Sequence, residues 1–431
     1  MLPKSIPIPI PGGLHPPLPQ FLKVAQALET RSVPDIAITI RSEFAKFAHL
    51  NMQGKSIAIA VGSRGIKDQF LVVQALIECL KNAGALPFIF PAMGSHGGGT
   101  AEGQQAVLAN YGYTESALKV PIRASMGVVE IGHLDNGTPV YCDAFAHAAD
   151  WIIPVNRVKP HTSFRAKHES GMAKMLAVGI AKHAGAEAMH FHGAHQFDTM
   201  IPAAAQIYLD RANVLFGVGI VENAVEDILQ VELVPPANLL ERDAALLELA
   251  KATIPQLLFN QIDVLIIDKI GKNISGSGLD PNVTGRPSSG LPGFDKGLKI
   301  DRIVIRDLTD ETQGNACGLG TSDVTTQRLL QKVDWTKTYV NMVTAGLPSG
   351  ARLPIVANTD REAIGIALRG CPGVDSKTAR IVRIANTLEL TDIWVSTPMT
   401  KDVSDHPRLS SIGAPFDLGF DESNALTGQV I

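Results

Sequence analysis

The chain has 431 residues, 45% apolar and 19% charged; it is too long for one ordinary core and predicts two domains. Thirty-eight basic residues against forty-two acidic ones leave a formal charge of −4, which offers neither a basic footprint for nucleic acid nor a polybasic patch for a membrane. The four cysteines are scattered without a C-x-x-C pair, and no run approaches the ~20 apolar residues of a membrane helix, so a disulfide framework and a transmembrane span are not expected.

The start, MLPKSIPIPIPGGLHPPLPQFL, is broken by prolines and lacks the continuous apolar stretch of a signal peptide, which predicts a soluble, cytoplasmic protein. From about residue 55 the text alternates in α/β style. KSIAIAVGSRG reads as a buried strand ending in a Gly/Ser turn, and KDQFLVVQALIECLKNAG as the helix after it. LPFIFPAMGSHGGGT repeats strand then glycine-rich loop, and Thr100 is the predicted N-cap of the helix in TAEGQQAVLANYG. DWIIPVNRVKPH runs a strand into a polar loop. NVLFGVGIVENA and DILQVELVPP form a strand pair, and ANLLERDAALLELAKATIPQLL is an amphipathic helix ending near residue 258.

Beyond that seam, DVLIIDKIG and KIDRIVIRDL are strands, TTQRLLQKV and TDREAIGIALRG helices, and ARIVRIANTLELTDIWVST supplies late strands. Between them lies KNISGSGLDPNVTGRPSSGLPGFDKG, a Gly/Ser/Pro-rich loop of a length that is usually functional or mobile. The expected architecture is α/β, with mixed, largely parallel sheets in two domains, 1–258 and 259–404. A tail, 405–431, could return to the first domain. The active site is expected in the cleft between the domains, because open parallel sheets bind ligands beyond the carboxyl ends of their strands.

Three strand-end loops of the first half carry polar residues. AVGSRG places Ser63 and Arg64 past a strand; a glycine-flanked arginine there suits a carboxylate, although a surface charge is the plainer reading. AMGSHGGGT sets His96 among glycines, without the Lys-Ser/Thr of a phosphate loop. RVKPHTSFRAKHESGMAKMLAVG carries His161, stiffened by Pro160, then His168, Gly171 and Lys174. Lys174 is either a snorkelling helix lysine or a desolvated, nucleophilic amine. In MHFHGAH, His190, His192 and His195 crowd into a chain with twelve histidines in all. Imidazoles packed this densely are commonly metal ligands, with a polar turn after a helix as the alternative.

In order and spacing these loops resemble the nickel-pincer lactate racemase family, which includes 2-hydroxyacid racemases and epimerases. The match runs through Arg64, the "GSHG" of His96, the "KPH" of His161, the "SGMAKMLAVG" of Lys174, and a histidine sixteen positions later at His190. The resemblance implies a nickel-pincer nucleotide cofactor (pyridinium-3,5-bisthiocarboxylic acid mononucleotide nickel). It implies that Lys174 holds that group through a thioamide, with Ser63 and Gly171 beside it, and that His190 ligates nickel, His192 being the close alternative. His96 and His161 match the catalytic acid/bases and Arg64 the arginine that binds the substrate carboxylate. In the second half the family's Tyr…Lys substrate motif has no clean counterpart, Lys269 and Lys272 being the candidates for its lysine, and Trp335 lies in a segment similar to the family's C-terminal domain. Val61 stands where the family has an aspartate three residues before the arginine, and with the extra Arg165 and Lys167 this points to a more polar or bulkier hydroxyacid than lactate.

The chemistry implied is hydride transfer, because a neighbouring carboxylate disfavours the carbanion that proton abstraction would leave. Two other readings remain at this stage. A metal-dependent hydrolase would use the His-rich segment to activate water, and a non-catalytic protein would merely bind nickel or the cofactor.

Overall fold

The computed structural model describes residues 5–63, 65–295 and 297–430. The chain divides into two compact units, one inserted into the other: Glu29–Ile254, the inserted unit, and Met1–Leu28 with Pro255–Ile431, the split unit. Along the chain the strands are β1 (Phe21–Gln26), β2 (Ser56–Val61), β3 (Leu86–Pro91), β4 (Val128–His133), β5 (Pro139–Asp143) and β6 (Trp151–Arg157). There follow β7 (Gly217–Glu222), β8 (Ile228–Val234), β9 (Gln261–Ile270), β10 (Lys299–Leu308) and β11 (Val324–Thr326). The last four are β12 (Ile355–Ala357), β13 (Ile381–Ile384), β14 (Asp392–Ser396) and β15 (Leu409–Phe416).

The inserted unit holds a sheet of order β3-β2-β6-β7-β8, in which only β8 runs antiparallel to its neighbour, and a β4-β5 hairpin. SIAIAV forms β2 because both faces of a parallel sheet are covered, so a near-continuous apolar run is what such a strand requires. Ile57, Ile59 and Val61 face a core shared with the helices Ile36–Phe44 and Gln69–Asn82. The helix Ala101–Asn110 begins where the sequence places it, with Thr100 Oγ1 accepting from Gly103 N at 3.1 Å.

The split unit carries a sheet of order β12-β11-β10-β9-β13-β14-β1-β15. The strands from β12 to β13 are parallel; β14, β1 and β15 extend the sheet antiparallel. The fold is therefore α/β with mixed, largely parallel sheets. Two boundaries differ from those read in the sequence. The seam falls at Ile254–Pro255, just past the helix Leu239–Thr253, and the first 28 residues lie with the second half of the chain. The reason is FLKVAQ, whose Phe21, Leu22 and Val24 are buried as β1 between β14 and β15. The tail segment Leu409–Phe416 joins that same sheet as an edge strand beside β1. Among the described residues no helix is long and apolar enough to cross a membrane.

Candidate active site

In the inserted unit the carboxyl ends of β2, β3 and β6 meet one segment, residues 171–190. It runs as a short helix Met172–Lys174, a π-helical turn Met175–Gly179, and a helix Lys182–His190. π-Turns widen a helix by one residue per hydrogen bond and are frequent at functional sites. The segment starts flat on the sheet, since a Cβ at Gly217 of β7 would come within 2.6 Å of Met172 Sδ. Gly94 N, past β3, donates to Gly179 O at 3.1 Å. Lys182 lies at φ 57, a left-handed conformation that a side chain adopts only when its surroundings enforce it. Its buried Nζ donates to Pro91 O at the end of β3 and to Gln104 Oε1 at 3.3 Å.

The loop after β6 is organised by Glu169, whose side chain is fully buried. Its carboxylate accepts from His161 N at 2.7 Å, Ala166 N at 3.3 Å and Arg165 Nη1 at 3.1 Å, and pairs with Lys251 Nζ at 3.2 Å. Arg165 also donates to the carbonyls of His161 and Phe164, so this guanidinium is engaged in holding its own loop. Asp243 performs the parallel task one turn on. It accepts from Met172 N at 2.6 Å and lies 3.1 Å from His168 Nδ1. A Cβ on Gly171 would sit 2.2 Å from Asp243 Oδ1, so glycine is what permits this contact.

His161 and Lys174 are brought together: Lys174 Nζ lies 2.6 Å from His161 Nε2. The ring's other nitrogen, Nδ1, accepts from Ser163 N at 3.0 Å. A neutral imidazole with Nδ1 accepting carries its proton on Nε2. Phe164 backs both groups, its ring 4.4 Å from that of His161 and 5.7 Å from the amine.

His96 and Ser63 are likewise brought together, with Ser63 Oγ hydrogen-bonded to His96 Nδ1. The backbone of the His96 loop is fixed from behind by Gln104 Nε2, which donates to Gly94 O at 2.8 Å and His96 O at 3.3 Å.

His190 and His192 differ in position and in hydrogen-bond partner. His190 ends a helix and the chain turns after it, so the extended backbone that would let both rings meet one ion is absent there. His192 Nε2 is 2.8 Å from Thr138 Oγ1. His190 Nδ1 donates to Ala186 O at 2.6 Å, which fixes the tautomer and leaves Nε2 as the lone-pair nitrogen. Burial holds His190 below the ordinary value of 6.5; the Ala186 carbonyl opposes this, and a proton on neighbouring Lys174 lowers it further. Because the folded chain resists protonation here while the unfolded chain does not, this contribution to stability is complete above 6.5 and is lost as pH falls through the folded value. Denaturant midpoints measured from neutral to acidic pH should fall less steeply for His190→Gln than for the parent, and superimposable profiles would contradict this.

The remaining expected residues lie elsewhere or outside the described set. Arg64 is outside the described residues. Lys272, in the split unit, donates to Gly276 O at 2.7 Å and to Asn341 Oδ1 at 3.0 Å. Trp335 opens the helix Trp335–Thr344 that carries Asn341, and its ring packs 5.5 Å from Tyr339. Among the described residues no three His, Cys, Asp or Glu side chains gather to hold a metal ion. Reading of the sequence missed Glu169, Asp243, Gln104 and Lys182. Only Asp243 left a signal, as a carboxylate on the buried stripe of its helix with Leu239, Leu246, Leu247 and Ala250.

Comparison with known proteins matches residues 28–200 to the lactate racemase N-terminal domain. Among solved structures, the lactate racemase apoprotein from Thermoanaerobacterium thermosaccharolyticum aligns at 14% identity and a TM-score of 0.49, over 85% of this chain and 94% of that one. No curated protein matches the chain. The matched segment spans Ser63, His96, His161, Gly171 and Lys174 with His190 and His192, and over it the chain is similar to the lactate racemase N-terminal domain.

Proposed function

We propose that this protein is an isomerase, a racemase or epimerase of a 2-hydroxyacid, in which His96 and His161 handle protons while Lys174 and His190 hold a nickel-pincer nucleotide. The observation that carries the reading is the Lys174–His161 contact at 2.6 Å, with His190 close enough to feel the charge of Lys174, inside the segment that matches the lactate racemase N-terminal domain. The residues suit the group. An unprotonated amine is the form that acylates to a thioamide, and an imidazole whose Nδ1 is committed to a carbonyl offers Nε2 to a borderline metal. His190 Nε2 would be the chain's own ligand to that metal.

When bound, the nucleotide supplies the acceptor and donor for the substrate's α-hydrogen as hydride. The chain's own part is the hydroxyl proton. One neutral imidazole, His161 or His96, takes that proton as the α-hydrogen leaves, and the other imidazole, protonated, returns one to the oxygen when the hydrogen comes back to the opposite face. Glu169 keeps the His161 loop in place, and Ser63 keeps the His96 ring in place, so that neither must reorganise during turnover. Arg64 is proposed to bind the substrate carboxylate, Lys272 and Trp335 are further proposed substrate residues, and Ser63 and Gly171 are proposed to contact the nucleotide.

The test is metal content of protein purified from cells that synthesise the pincer nucleotide. Near-stoichiometric nickel is expected in the parent and in His192→Ala, with loss in His190→Ala and Lys174→Ala. Zinc in place of nickel, or retention in His190→Ala, would overturn the assignment.

A further inference from the structure

The Gly/Ser/Pro-rich loop singled out in the sequence forms one wall of a cavity of about 330 Å3 in the split unit. Three short stretches line it: Arg286–Gly290, Gly320–Thr321, and Ser349 with Arg352. They are tied to one another. Ser349 Oγ donates to Ser288 O, Gly318 N donates to Gly350 O at 2.9 Å, and Arg286 Nη1 reaches Thr321 O at 3.4 Å. Gly320 allows the closest crossing, since a Cβ there would stand 2.0 Å from Ser349 O and 2.6 Å from Arg352 N.

The charges of the lining do not cancel. Arg286 is consumed by the fold: it pairs with Asp323 and donates to the carbonyls of Ile300 at 3.0 Å and Asp301 at 2.8 Å. Arg352 is exposed, and among the described residues its guanidinium has no acceptor. The Ser288 hydroxyl is also without a hydrogen-bond partner among them. No Asp or Glu lines the cavity. A concave surface with serine and threonine hydroxyls and one uncompensated guanidinium favours an anion whose oxygens accept several hydrogen bonds at once.

We infer that this cavity is an oxyanion-binding site of the split unit, in which Arg352 and Ser288 grip a carboxylate or phosphate group. The site is independent of the reaction proposed above, and its test uses neither nickel nor turnover. The full-length chain is titrated calorimetrically with inorganic phosphate and, separately, with malonate. Saturable binding of either probe is expected, weakened about tenfold or more by Arg352→Gln, as loss of a charged hydrogen-bond donor requires, and less by Ser288→Ala and Arg352→Lys. Both residues sit on the cavity wall rather than in a core, and matching thermal midpoints confirm that the variants fold. Phosphate binding alone identifies a phosphoryl ligand, and malonate binding alone a carboxylate. Absence of saturable binding with both probes, or undiminished binding in Arg352→Gln, overturns the proposal.

Discussion

Truncation of Lys182 to alanine should lower the free energy of unfolding by about 3–5 kcal/mol, the usual consequence of breaking a buried ion pair from one side. Lys182 and Asp143 both have fully buried side chains, with Nζ 3.1 Å from Oδ2. Among the described residues the Lys182 ammonium is the polar group that Oδ2 faces. Burial lowers the pKa of Lys182 and raises that of Asp143, and each partner's charge works against the shift in the other. Alanine at 182 strands the carboxylate without its counter-charge and also removes the donor to Pro91 O and Gln104 Oε1. The double variant Lys182→Met with Asp143→Asn should recover much of the loss, because both charges go while the introduced amide oxygen still accepts from Ala146 N, the cap bond that Asp143 makes at 2.9 Å. Equilibrium denaturation of the four members of this cycle gives the coupling directly. A cost below about 1 kcal/mol for Lys182→Ala would place the pair among weak, solvent-like interactions.

The second large effect concerns turnover. Replacement of His161 by alanine in nickel-loaded protein should reduce racemisation or epimerisation by about 10²–10⁴-fold, the span assigned to a positioned acid or base, while bound nickel is unchanged. His96→Ala should do the same. The two substitutions together should cost little more than either alone, because the pair acts on one substrate oxygen and removal of one partner already interrupts the exchange. His161 has a further role that separates its phenotype: its Nε2 contacts Lys174, so His161→Ala should also slow loading of the nucleotide. Saturating the apoprotein with nucleotide before assay distinguishes slow loading from slow chemistry. Parent-like turnover in either single variant would remove the histidines from the reaction.

Much of the inserted unit was legible because its signals are local. A buried run such as SIAIAV, a glycine turn and an amphipathic stretch follow one another within thirty residues, and Thr100 announces its helix by type and position. The residues that steady the site were not legible for the opposite reason. Lys182 finds Asp143 and Gln104 only after two loops have folded back, and nothing in the wording of either segment marks the other. Glu169 reads as one more charge in a polar loop until its four partners are in place. The spacing of Lys174 and His190 gave the candidates without explaining them. Sixteen residues of unbroken helix would set them about 24 Å apart along the axis, and it is the π-turn and the left-handed Lys182 that bend the path. β1 and β15 escaped because FLKVAQ follows a run of prolines and LSSIGAPF lacks alternation, with exposed residues from Ser410 to Pro415.

The position of β1 has a consequence for how the protein is made. Phe21 pairs with Ser396, so the strand is synthesised long before this neighbour. At about 5–20 residues per second, ribosomal elongation leaves this strand waiting roughly 20–75 s for a partner. Within that interval Glu29–Ile254 is completed and can fold, while Phe21, Leu22 and Val24, destined for burial, stay in solvent. A short apolar strand with both edges open is the kind of segment that recruits other nascent chains. Pro16, Pro17 and Pro19, which stand directly before it, cannot donate ladder hydrogen bonds and so keep such pairing from spreading. The proline-broken opening then acts on the ribosome's timescale, guarding an early strand until its late partners arrive.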